Sequence, residues 1–236
     1  MTFNLLYDIL YKNRGKCSFF NVSKCHNNDV AIFVKGRGKV ILEDIAKIRT
    51  GLVATRKKKA DSGKQTFEYN LLNLKCVADN GQIHIEHAEQ FVLSEQLKSD
   101  YITQMNDILI RLSAPYTSVL INCKEYCGFV IPSHFAIVRV NLLKANPEFV
   151  YWILSQNKTR YLMFQNSRGG TTLGTINAGL ISKLPIRNIP LSKQSLIGEM
   201  ARLDRKEQEL LNLLMEEKQR YASLLLNQIY DNAKER

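Results

Sequence analysis

The 236-residue chain carries 33 Lys and Arg against 22 Asp and Glu, a net charge of +11, and 45% of its residues are hydrophobic. The charge favours a polyanionic partner, nucleic acid or an anionic surface, and the length fits one domain of ordinary size plus an appendage. No apolar run reaches the roughly 18 residues of a membrane span, and Met1–Leu10 lacks a basic stretch ahead of an apolar run, so we expect a cytoplasmic protein without a signal peptide.

Residues 1–40 read as a separate N-terminal segment. Helical spacing runs from Phe3 to Tyr11, a short apolar run covers Val30–Val34, and Gly36-Arg37-Gly38-Lys39 closes it as a turn. No Gly-Lys-Ser/Thr follows, so this turn is not a phosphate loop. Five cysteines (Cys17, Cys25, Cys76, Cys123 and Cys127) are an odd number, as expected of reduced thiols in a cytoplasm. A zinc ion held by Cys17, Cys25 and His26 with Cys123 or Cys127 is the alternative. The spacings fit a zinc knuckle poorly, and no metal is expected.

Residues 41–188 read as a mixed α/β head. Val40–Ile48 enters it, and Leu71–Leu74, Ile108–Ile110, Ser118–Ile121, Phe129–Ile131 and Ile137–Val140 are short strand candidates. A helix starts at Pro147, with Asn146 as its cap, and should run to Met163 or Phe164. Gly169–Thr172 is a loop. Leu184–Pro190 is extended, because each proline biases its predecessor away from helix.

Residues 189–236 read as one long helix, capped by Ser192. From Ser192 to Asn232 there is no Pro, and the only Gly is Gly198. Leu196, Leu203, Leu210 and Leu224 recur on a seven-residue period, with Met200, Leu214 and Tyr221 between those rungs. Such a seam needs a second helix to cover it. A mixed-charge helix is also a poor membrane-surface binder.

The densest cationic stretch is Arg49-Thr50 through Arg56, Lys57, Lys58 and Lys59, with Lys64 just beyond. Consecutive cations resist packing, so this is a solvated loop. It could merely solubilise, or it could grip phosphates. Other cations sit on loops beside hydroxyls and aromatics: Arg111 with Tyr116 and Thr117, Lys124 with Tyr126, and Arg168 with Thr171 and Thr172. Arg reads guanine edges bidentately, and Thr or Tyr can reach base or phosphate. Catalytic groupings are thin. Glu216-Glu217-Lys218 spells a nuclease-like E-x-K, but on a helix where a charged face explains it. Asp107 suits a turn, and strand alternation would place His84 and Glu86 opposite His87. No nucleophile elbow, Walker motif or HExxH occurs.

The order of these motifs resembles the specificity (S) subunits of type I restriction–modification systems. Leu42–Gly51 is similar to the family's entry into a target recognition domain, and Asn106-Asp-Ile-Leu-Ile-Arg111 to its Gly-Asp-hydrophobic strand. Phe149–Ser155 resembles its following helix, Gly169–Thr172 the loop before its last strand, and Leu184–Gln194 the run that opens its conserved helix. Asn106 stands where the family usually has Gly, Ser192 near a common Pro, and Lys193 where it usually has Glu.

The resemblance implies a non-catalytic DNA-reading subunit: a target recognition domain at 41–188 and a conserved dimerisation helix at 189–236. It implies double-stranded DNA and a methyltransferase subunit as partners, and a motor–nuclease subunit indirectly. The cofactor, S-adenosylmethionine, would belong to the methyltransferase and not to this chain. Full-length S subunits carry two recognition domains and two helices, whereas this chain holds one of each. It therefore resembles a half-subunit that pairs with itself, on a two-part palindrome, or with another partial S protein. Two other classes remain open: a coiled-coil protein-binding adaptor, and a small metal-dependent nuclease.

Overall fold

The computed structural model describes residues 38–53, 66–167 and 174–232. The centre of the head is a four-stranded sheet made of β2 (Ala46–Thr50), β5 (Asp107–Arg111), β6 (Ser118–Leu120) and β7 (Phe135–Val140). Its spatial order is β2-β7-β5-β6, and every neighbouring pair is antiparallel. Among the described residues, parallel pairing is confined to the single bridges Leu52↔Pro132 and Leu71↔Val130.

β5 and β7 read as unbroken apolar runs because both faces of the sheet are covered. On one face, Ile108, Ile110, Val138 and Val140 pack with Phe149, Val150 and Leu154 of α1 (Pro147–Ser155) and Leu180 and Ile181 of α3 (Ala178–Ser182). On the other, Leu109, Val119, Ile121 and Ile137 pack beneath an irregular layer holding Leu72, Cys76, Val77 and Ile131. Burial pushes the Cys76 thiol above its ordinary pKa. A hairpin of β3 (Phe67–Leu71) and β4 (Glu89–Leu93) adds a third small core around Leu52, Leu93, Leu97 and Val130.

The Asn146 side chain accepts a hydrogen bond from the Phe149 N–H, with Pro147 in the first turn, as the sequence suggests. The expected single helix is two, however. Gln156 adopts extended backbone, and α2 (Asn157–Gln165) restarts beyond it. Phe129–Ile131 is not a regular strand: Val130 makes isolated bridges to Leu71 and Ile102. Leu71 ends β3, and Leu74 opens a 3-10 turn capped by Asn73. His84, Glu86 and His87 do not alternate either. Ile85–His87 is a 3-10 turn, and His84 Nδ1 lies 3.0 Å from Glu86 Oε1.

β1 (Lys39–Ile41) pairs antiparallel with β8 (Pro185–Arg187), which leads directly into α4 (Leu191–Asn232). α4 starts two residues earlier than a cap at Ser192 would place it. The N–H groups of Lys193 and Gln194 both donate to the Pro190 carbonyl, so Ser192 lies inside the first turn instead of capping it. Its 42 residues make a rod of about 63 Å. No helix among the described residues is long and apolar enough to cross a membrane.

Candidate nucleic-acid interface

One end of the central sheet collects most of the chemistry. The C-terminal ends of β2 and β5 meet the N-terminal end of β7 there, with Thr50 opposite Ala136 and Arg111 opposite Phe135. Beyond Thr50 the chain turns sharply. Gly51 is required because any Cβ would strike the Ile131 and Pro132 carbonyls. Leu52 then bonds to Ile131 and Ser133.

Arg111 sits at this end, its side chain 23% exposed. Nη1 donates to Asp79 at 3.3 Å, and Nε donates to Ser113 at 3.3 Å. The Arg111 N–H bonds the Thr117 carbonyl, closing the turn between β5 and β6. Against that turn lie Ser167 and Gly174, which touch one another. Thr175 bridges Ser113, and the Ile176 N–H donates to Leu112. Ser167 and Gly174, the described residues on either side of 168–173, are thus held side by side. Arg168, Thr171 and Thr172 lie between them, outside the described residues, as do Arg56–Lys59 and Lys64. Gly51 and Leu52, just ahead of the first of the cationic segments, and Ser167 and Gly174, on either side of the second, stand at this same sheet end.

Tyr116 and Thr117 require a correction. The sequence suggests that both touch DNA, yet both are buried, at 2% and 0% exposure. Tyr116 has φ +56, and its hydroxyl donates to the Gly174 carbonyl at 2.8 Å. Thr117 Oγ1 donates to the Asp79 carbonyl at 3.4 Å. They brace Gly174 and the neighbouring turn; neither has an accessible edge to offer a base.

Lys124 and Tyr126 lie at the other end. Ile121 bonds the Asp107 carbonyl and Thr103 Oγ1 bonds the Tyr126 carbonyl, at the start of β5. Four strand steps, about 13 Å, separate that end from Arg111. Lys124 is exposed, whereas Tyr126 is half-buried and burial raises its pKa. Thr50 is exposed at the first end.

Arg49 is not a free cation. It pairs with Asp100 at 2.5 Å and lies 5.5 Å over the Tyr101 ring. With Lys47, Ile137 and Arg139 it lines a shallow cleft on the sheet face. Arg139 grips buried Asp107 through two hydrogen bonds of 2.7 Å, and that bonding holds its pKa above the ordinary value. Sequence reading misses this network. Its one signal is an arginine inside the apolar run Ile137-Val-Arg-Val140, which demands a carboxylate opposite.

The helix seam lies open. Leu196, Met200, Leu203, Leu210, Leu214, Tyr221 and Leu224 are between 53% and 65% exposed. Leu211, Leu213, Met215, Leu225, Leu226, Ile229 and Tyr230 widen the apolar surface beyond the heptad rungs. Glu217 of the E-x-K run pairs with Arg220 along the same helix. Among the described residues no cluster of three or more His, Cys, Asp or Glu could hold a metal ion. Cys17, Cys25 and His26 lie outside them.

A family model for the type I restriction modification DNA specificity domain matches residues 35–216. No curated protein matches the chain. Among solved structures, the HsdS subunit from Thermoanaerobacter tengcongensis is similar, with a TM-score of 0.57 at 16% identity over 80% of this chain and 47% of that one. A structure concerned with complex assembly and conformational transition of the type I R-M system gives a TM-score of 0.54 at 15% identity, covering 74% of this chain and 44% of that one. The chain therefore spans less than half the length of either, and at such identity the likeness is one of fold.

Proposed function

The chain belongs to the family of type I restriction–modification DNA specificity domains, and from that premise we propose that it is a sequence-reading subunit working in pairs. The head reads a short half-site with the sheet end that carries Arg111, the loop rooted at Ser167 and Gly174, and the cationic segment that follows Val53. Phosphate contacts come from Arg56–Lys59 and Lys64. Base-proximal contacts come from Arg111, Arg168, Thr171 and Thr172. α4 pairs with a second such helix, from another copy or from another partial S protein. The pair docks a methyltransferase subunit, which supplies S-adenosylmethionine and flips out an adenine, at a cost of a few kcal/mol that grip on flanking DNA helps offset. A motor–nuclease subunit joins that complex for cleavage.

The observation that carries this reading is the gathering of Arg111, the Gly51–Leu52 turn that precedes the cationic segment, and the Ser167–Gly174 contact at one end of the sheet. The test is duplex binding by the purified chain across a salt series. Phosphate contacts predict that log affinity falls linearly with log salt, by about 0.9 per phosphate neutralised. Affinity indifferent to salt would leave only a protein-binding adaptor. Metal-dependent cleavage by the chain alone would make it a nuclease. Purification with its genomic neighbours, followed by mapping of modified bases in host DNA, identifies the site that is read.

A further inference from the structure

α4 has two working faces, and only one of them is empty. Positions two apart on an α-helix lie about 160° round its axis. Leu196 and Met200 come two residues after Gln194 and Gly198, and Leu203 two before Arg205. The exposed leucine seam is therefore opposite a line running through Gln194, Gly198 and Arg205, and that line is fastened to the head.

The fastening is specific at three heights. Gln194 is 4% exposed; its Oε1 accepts the Asn146 N–H at 3.0 Å and its Nε2 donates to the Ile189 carbonyl at 2.9 Å. One turn along, Gly198 lets the two helices touch. A Cβ there would come within 2.9 Å of Asn146 Oδ1, 2.9 Å of Glu148 Cβ and 3.1 Å of the Phe149 nitrogen. Asn146 Oδ1 is the atom that caps α1, so it has little freedom to retreat. Two turns further, Arg205 bonds Glu148 at 2.5 Å and lies 4.6 Å over the Tyr151 ring. The Tyr151 hydroxyl in turn backs the tight turn at Gly81, close enough that a Cβ there would sit 3.3 Å away. That turn holds Asp79, the partner of Arg111. A continuous line of contacts therefore joins the stalk to the reading end of the head.

We propose that Gln194, Gly198 and Arg205 form a clamp that fixes the height and azimuth of the head on the stalk, and so sets the separation between the two half-sites that the pair accepts. This rests on the paired-reader function proposed above. With the seam on the opposite face, helix pairing leaves the clamp untouched, and each head keeps one orientation relative to the shared axis. Half-site spacing in a two-headed reader follows from that orientation. Gln194, Gly198 and Arg205 are positioning residues that need touch no DNA.

The test uses the full chain in the oligomer it forms. Half-sites are first selected by the parent, then presented in pairs at every separation across one helical turn of DNA. The parent should accept one separation best. Gly198→Ala and Arg205→Ala should keep the half-site sequence and lose that single preference, whereas Arg205→Lys, which retains the charge facing Glu148, should keep it. Small-angle scattering of the DNA-free protein gives a second readout, in which both alanine variants should show a broader spread of head positions. An unaltered separation preference in both alanine variants overturns the clamp, and so does unaltered scattering. A parent that binds duplexes with no separation preference overturns the paired-reader function instead, and scattering still decides the clamp. Arg205 is partly exposed on the helix surface, so its alanine variant folds even if Gly198→Ala does not.

Discussion

At the scale of single residues, the start of β5 shows how local backbone and distant charge are coupled. Asn106 has φ +69, a conformation that glycine takes freely and asparagine tolerates better than most residues. It turns the chain so that Asp107 points inward, fully buried, where it bonds the Gln104 N–H and both nitrogens of the Arg139 fork. Asp107→Asn would leave that guanidinium facing a neutral amide inside the fold. The expected cost is about 2–3 kcal/mol, read as a lower urea midpoint at constant slope. Asn106→Gly should be nearly neutral, and Asn106→Val should cost about 1–3 kcal/mol because a β-branched residue resists that region. The carboxylate and its turn are legible in Asn106-Asp-Ile-Leu-Ile, a local pattern. Its partner is not, because the Asp107–Arg139 pairing depends on register between strands far apart in the chain. Tyr116 and Thr117 mislead for a related reason. Loop hydroxyls look available in one dimension, and only the packed turn reveals that they hold the Gly174 and Asp79 carbonyls.

At the scale of elements, legibility follows how local the cause is. The long helix is visible because its apolar period repeats without any proline, and α1 is visible from its Asn-Pro start. The break at Gln156 is not: no glycine or proline marks it, and α2 resumes at once, with Thr159 Oγ1 bonding back to the Ile153 carbonyl. Nor can the meaning of Gly198 be read from the seam, because it serves the opposite face. The exposed seam itself supports a clear expectation. Burying one leucine contributes about 1.5–3 kcal/mol, and two substitutions in each of two paired helices remove four such contributions while burying carboxylates. Leu203→Glu with Leu210→Glu should therefore give monomers by sedimentation. Helix content by circular dichroism should hold, since glutamate is a good helix former. A variant that sediments like the parent would rule out this seam as the interface.

At the scale of the whole molecule, the proposed function has the net charge of +11 and the geometry of one sheet end divide the work of binding between them. Charge acts at long range and without regard to sequence, whereas a side chain at a base edge acts only on the matching site. The two contributions should separate experimentally. Replacing Arg56, Lys57, Lys58 and Lys59 with Ala should weaken binding to every duplex alike and flatten the salt dependence, by roughly 1 unit of slope for each phosphate that is no longer neutralised. Replacing Arg111 with Ala should do the reverse. It would cost about 1–3 kcal/mol on the cognate half-site, relax preference at one base pair and leave the salt slope nearly unchanged. If the Arg56–Lys59 variant weakened only on the cognate site, those cations would be reading bases and the division would be wrong. If Arg111→Ala weakened all duplexes equally, its held position between Asp79 and Ser113 would serve the turn and not the DNA, and specificity would have to reside in the loop between Ser167 and Gly174.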